Sequence, residues 1–176
     1  MAYNIHPIFV HFPIALLFVY SIIKVLPFQK WFPSVAWKHI ERALLAVGVL
    51  GAFVALSTGE VAEHLVHPNH DLVEAHSLFA STATWTYVLL LVGETLSVMI
   101  SWITIKVKSQ KVLRWITFIK NFLTHPNLSM VLAILGLIAI SIAGLLGGVM
   151  VYGTSADPLA GQIGRASCRE RVSSPV

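Results

Sequence analysis

The residues of this chain that could do chemistry are mostly histidines and carboxylates, and they lie near the N-terminus and in one stretch before the third apolar segment. The set comprises His6, His11, Glu60, Glu63, His64, His67, His70, Asp71, Glu74 and His76. Imidazole and carboxylate groups bind transition metals, and histidine is also an axial ligand of haem iron. No Ser-His-Asp or phosphate-loop pattern accompanies them. The set therefore favours metal or metallocofactor binding, and we assign no catalytic residues.

Four long apolar segments must position these residues. The chain is 56% hydrophobic and 11% charged, whereas about a quarter of the residues in soluble domains are charged. The segments are Ile8–Leu26, Ile40–Thr58, Leu78–Trp102 and Met130–Tyr152. Runs of about 20 apolar residues are typical of transmembrane helices, because each helix satisfies its own backbone hydrogen bonds in lipid. Residues 1–157 are therefore predicted to form one all-α integral membrane four-helix bundle, in which no internal repeat is evident.

The basic residues place both termini outside the cell. Outside the C-terminal tail, every Lys and Arg belongs to the first or third connection or to its borders: Lys24, Lys30, Lys38, Arg42, Lys106, Lys108, Lys111, Arg114 and Lys120. Such residues concentrate on the cytoplasmic side. The third connection, Lys106–Asn127, also alternates basic with apolar residues. This pattern predicts an amphipathic helix on the anionic inner leaflet, or else a dock for a partner protein.

The C-terminal tail, residues 158–176, is predicted to be disordered. Within it, residues 163–172 read like the translation of a sequencing adapter and are interpreted as non-native. They contain three arginines, one glutamate and the only cysteine, Cys168, so without them the formal charge falls from +4 to +2. The basic charge therefore gives no support for nucleic-acid binding, and no thiolate is expected in any metal site.

Two histidines are predicted to lie at equal depth in the bundle. Pro7 suits the first position of a helix, which makes His11 the fifth helical residue. Asp71 and Glu74 resemble a capping box, which makes His76 the fifth residue of the third segment. Both helices run inward from the outer side, so each histidine should lie about 7 Å below its helix cap. If they face each other across the bundle, they could hold a planar metallocofactor.

Small residues on the fourth segment could support that cofactor. Gly144, Gly147 and Gly148 would let a flat macrocycle approach the backbone, although ordinary helix packing is the alternative.

One acidic residue shares a helix face with His76. Glu94 lies eighteen residues further on, which is five whole turns. It either pairs with Lys106 or Arg42 or takes part in a proton relay.

A second candidate site precedes the third segment. Glu60, His64 and His67 would share one face of a continuing helix, and His70 follows directly after the turn. These residues could bind Zn²⁺, Cu²⁺ or Fe²⁺, and a solvated loop is the alternative.

Several motifs resemble a known family. They are the run His6-Pro-Ile-Phe-Val-His-Phe-Pro-Ile-Ala-Leu16, the run Ser57-Thr-Gly59 followed by an acidic residue, His76, and the run Gly147-Gly148-Val-Met-Val-Tyr152. Over about residues 6–153 the chain resembles the domain-of-unknown-function 2231 family of bacterial four-helix membrane proteins. The resemblance implies an inner-membrane location. It also suggests redox work, because relatives are sometimes joined to Rieske-type or c-type cytochrome modules.

Three functions are consistent with these features. The first is a haem b electron-transfer subunit with His11 and His76 as axial ligands. The second is binding of a transition-metal ion at the outer face. The third is a structural or assembly subunit without a cofactor, in which the histidines cap helices.

Overall fold

The fold was obtained as a computed structural model, which describes residues 6–66 and 70–152, without the side chains of residues 7, 8, 63–66 and 152. All regular structure in these ranges is helical, as the sequence predicts. The helices are α1 (His6–Val25), α2 (Phe28–Trp31), α3 (Trp37–Val66), α4 (His70–Lys106), α5 (Gln110–Leu123) and α6 (Pro126–Tyr152). The long helices α1, α3, α4 and α6 contain the four predicted segments, and α5 lies within the third connection.

Three of these helices are long and apolar enough to cross a membrane. They include the stretches Trp37–Ala62, His70–Lys106 and Pro126–Val151, whereas the apolar part of α1, Phe9–Val25, is shorter. Large apolar side chains are exposed on their outer surfaces, for example Leu50, Leu78 and Trp85. Such an apolar exterior is unfavourable in water and favourable in lipid. The chain is therefore a membrane protein.

The four long helices form two antiparallel hairpins. Helix α1 packs mainly on α3 and α4 mainly on α6, while α1–α6 and α3–α4 contacts close the ring. Glycines allow the close approach within each hairpin. A methyl group added at Gly48 would lie 2.6 Å from Leu17, and one added at Gly136 would lie 2.8 Å from the ring of Tyr87. Across the centre, the rings of Tyr20 and Tyr87 meet edge to face at 6.1 Å.

One end of the bundle is closed by a charge cluster, which consists of Lys24, Glu41, Arg42 and Glu94. Arg42 Nε lies 3.0 Å from Glu94 Oε2, and Lys24 Nζ lies 3.5 Å from Glu41 and 3.8 Å from Glu94. Gln29 donates a further hydrogen bond to Glu41. Buried carboxylates are stable when opposite charges neutralise them. Glu94 therefore pairs with Arg42, one of its two predicted partners, and joins α4 to α1 and α3.

Candidate functional site

The opposite end of the bundle carries two partly buried histidines, of which His76 is the better defined. Its Nδ1 atom lies 2.8 Å from the carbonyl oxygen of Ala143 on α6. A carbonyl oxygen only accepts hydrogen bonds, so Nδ1 carries the hydrogen, and in a neutral ring Nε2 then holds the lone pair. The ring lies against Gly147, where an added methyl group would approach Cε1 to 3.3 Å. His76 is thus oriented by a hydrogen bond and by a glycine of the neighbouring helix.

His6 is held in the same manner by α3. Its Nδ1 atom lies 3.0 Å from Thr58 Oγ1. The Thr58 hydroxyl donates its own hydrogen to backbone carbonyls one turn earlier, so it accepts from Nδ1–H of His6. The ring lies against Gly59, where an added methyl group would approach Cε1 to 3.3 Å.

The two imidazoles lie at the same end of the bundle and interact electrostatically. His6 precedes the apolar stretch Phe9–Val25, and two causes lower the pKa of its imidazole: burial, which is the larger, and the charge of His76. The two histidines stand on α1 and α4, which occupy opposite corners of the ring of helices. The structure therefore places two oriented imidazoles at one end of the bundle. We call His6, Thr58, His76 and Ala143, with Gly59 and Gly147, the histidine end.

The two hairpins repeat one packing pattern. In each, a histidine contacts a glycine of the neighbouring helix and hydrogen-bonds that helix within one turn of the glycine: Gly59 and Thr58 for His6, Gly147 and Ala143 for His76. Eleven residues after each histidine stands the side chain that covers another glycine, Leu17 over Gly48 and Tyr87 over Gly136. The two hairpins therefore resemble each other in their contacts between helices, although no internal repeat is evident in the sequence.

His11, the predicted axial ligand on α1, is exposed. His6 of the same helix is half-buried and interacts electrostatically with His76. The buried positions Pro13, Leu17 and Tyr20 are whole numbers of turns from His6, whereas His11 is rotated by about 140° at 100° per residue. Counting residues from the helix cap predicts how deep His11 lies in the bundle, but not which side of α1 it lies on. Extending the row of buried positions on α1 from Tyr20 back towards the N-terminus would have identified His6 as the histidine on the buried face.

The three glycines of α6 that were predicted to pack against a macrocycle have different surroundings in the structure. Gly147 accommodates the His76 ring, so it cannot also lie directly under a macrocycle. Gly148 has open space where a methyl group would lie, and Gly144 has only Ile14, at 3.9 Å. A methyl group added at either glycine would therefore meet few atoms.

The predicted metal group at Glu60, His64, His67 and His70 stays a prediction. Glu60 and His70 are exposed, while His67 and the side chain of His64 fall outside what the structure describes. Among the residues whose side chains are described, no three His, Cys, Asp or Glu side chains are grouped as a metal site would require.

Comparisons with known proteins identify the family and give no activity. No curated protein matches the sequence, and no solved structure does. Residues 2–157 match the family described as predicted membrane proteins of domain of unknown function 2231. This match covers most of the chain and nearly all of the bundle. The chain therefore belongs to the domain-of-unknown-function 2231 (DUF2231) family of membrane proteins.

Proposed function

We propose that the histidine end binds haem b, with Nε2 of His6 and Nε2 of His76 as the axial ligands, and that the protein is an electron-transfer subunit. The observation that carries this proposal is the presence of two half-buried imidazoles at one end of the bundle, each with Nδ1 hydrogen-bonded to an adjacent helix. Histidines that ligate metals almost always donate the other ring N–H to a carbonyl or a similar acceptor. This bond fixes the ring and makes Nε2 the more basic atom.

The donor set favours haem over a simple metal ion. A structural zinc site takes four protein ligands and a catalytic one usually takes three. In the described part of the chain, no third ligating side chain joins the two histidines. Haem needs only axial ligands from the protein, because its macrocycle supplies four nitrogens. Gly144 and Gly148 carry no side chain that would keep a macrocycle away from the backbone of α6.

The proposed site would hold its cofactor through the protein's own geometry. Bound haem would supply one-electron chemistry, with a potential that depends on axial ligation and burial. His6 and His76 would bind the iron, Thr58 and the Ala143 carbonyl would orient the rings, and the surrounding apolar helices would limit water. A Rieske-type or c-type cytochrome module, as the family resemblance suggests, is the proposed redox partner.

We also propose that all four long helices span the inner membrane, with the histidine end on the periplasmic side. The apolar part of α1 has 17 residues, about 26 Å at 1.5 Å per residue, close to the hydrocarbon thickness. Helix α1 also packs along α3 and α6. The charge cluster lies at the end that carries the native basic residues, which favours a cytoplasmic location for that end.

Absorption spectroscopy tests the cofactor proposal. The full chain, expressed with added haem precursor and purified, should show a Soret band that shifts on reduction and sharp low-spin bands in the visible region. His76→Ala should abolish the low-spin spectrum, whereas His70→Ala, an exposed histidine on the same helix, should leave it unchanged. A colourless protein that takes up no added haem would refute the proposal and favour a cofactor-free assembly role.

A further inference from the structure

Helix α5 presents a continuous row of aromatic side chains on an exposed face. Trp115, Phe118 and Phe122 follow Lys111 at helical spacing and are 67%, 61% and 57% exposed. Trp115 meets Phe118 edge to face at 6.1 Å, and Phe118 stacks on Phe122 at 6.3 Å. The helix is held on another side, where a methyl group added at Gly93 would lie 2.9 Å from Cβ of Leu123. The row is therefore a surface of an anchored helix.

Basic side chains border one end of this row. Between Lys106 and Asn127 the sequence contains five basic residues and no acidic one. A surface groove of about 360 Å³ is lined by Lys111, Arg114, Trp115 and Phe118. A second groove continues from Phe118 over the apolar side chains of Phe122 and Leu128. Cationic groups at one end and aromatic rings along the rest match a molecule with an anionic head and an apolar tail.

We infer that α5 binds an anionic phospholipid, with the phosphate at Lys111 and Arg114 and an acyl chain along Trp115, Phe118 and Phe122. Two observations favour a lipid as the occupant of this face. Helix α5 contacts the membrane-crossing helices α4 and α6, which also carry exposed apolar side chains such as Ile105 and Met130. Lys and Arg near an anionic leaflet each add favourable binding energy, and tryptophan is enriched at that boundary.

Fluorescence quenching by brominated lipids tests this inference on the full chain. The protein is reconstituted into vesicles of phosphatidylcholine and phosphatidylglycerol in equal amounts, with bromine on the acyl chains of one lipid at a time. The Trp115 signal is the difference between the native chain and Trp115→Phe. Brominated phosphatidylglycerol should quench this signal more than brominated phosphatidylcholine does.

Charge variants separate headgroup recognition from simple insertion into lipid. Lys111→Gln with Arg114→Gln should reduce the preference for phosphatidylglycerol by about fivefold for each charge removed. Lys30→Gln with Lys38→Gln removes the same charge from exposed positions on α2 and at the start of α3, and should leave the preference unchanged. Equal quenching by both lipids would refute the headgroup site. Absence of quenching would show that protein, another subunit or a second copy, covers this face.

Discussion

The polar side chains at the two ends of the bundle differ in the interactions that they make. In the charge cluster, Lys24 and Arg42 neutralise two buried carboxylates, and Gln29 adds a further hydrogen bond. At the histidine end, the bonds to Thr58 and the Ala143 carbonyl orient imidazoles. The first arrangement satisfies charges within the protein, as a structural element does. The second presents metal-binding groups, as a cofactor site does.

The largest expected effect comes from breaking the charge cluster. Glu94→Gln removes the charge that neutralises Arg42 and one of the two that face Lys24, so it should lower the free energy of unfolding by about 3 kcal/mol. Equilibrium unfolding in mixed micelles measures this change. Glu74→Gln, an exposed carboxylate near the other end, should change stability by less than about 0.5 kcal/mol. Equal effects of the two variants would show that the cluster is not a structural element.

Glycine packing should distinguish the two ends next. A methyl group at Gly93 would meet Cβ of Leu123 at 2.9 Å, which cannot swing away as the end of a flexible side chain could. Gly93→Ala should therefore cost about 2 kcal/mol. Gly148→Ala enters open space and should be neutral or slightly stabilising, because alanine favours helix. Thermal unfolding of both variants would measure the contrast, and a larger loss for Gly148→Ala would contradict it.

Tyr20 and Tyr87, which lie between the two ends, should differ in how much their hydroxyl groups contribute to the free energy of unfolding. The Tyr87 hydroxyl lies 2.8 Å from Ser21 Oγ, so Tyr87→Phe should cost about 1 kcal/mol. The buried Tyr20 hydroxyl has no hydrogen-bond partner among the described residues, so Tyr20→Phe should change stability by less than about 0.5 kcal/mol. The same unfolding assay compares the variants. A similar cost for Tyr20→Phe would mean that a bound water satisfies this hydroxyl.

The smallest expected effect is a dependence of stability on pH at the histidine end. Burial and the charge of His76 lower the pKa of His6 in the folded protein. Below about pH 6.5, the ordinary pKa of a histidine, His6 therefore binds more protons in the unfolded chain than in the folded protein. The free energy of unfolding should fall as the pH drops from about 6.5 to the pKa that His6 has in the folded protein. This loss should be smaller in His6→Gln. Melting temperatures measured from about pH 7.5 to about pH 5.5 would show it, and an identical loss in both proteins would refute it.

The sequence predicted the helices better than it predicted which side chains meet. Long apolar runs and one-sided basic residues identified α3, α4, α6 and the amphipathic α5, because these signals are local. Glu94 was also placed correctly on the face of His76, since both belong to one helix. The half-buried position of His6 was missed because it depends on the rotation of α1 against its neighbours. That rotation follows from tertiary contacts such as Pro13 against Gly51.

The most direct test of the central claim is the comparison of His6→Ala with His11→Ala in the haem-loaded protein. These histidines are five residues apart on α1, but His6 is half-buried and hydrogen-bonded to Thr58, whereas His11 is exposed. We predict that His6→Ala loses the low-spin bis-histidine spectrum and that His11→Ala retains it. Loss of that spectrum in His11→Ala, with retention in His6→Ala, would contradict the proposed site.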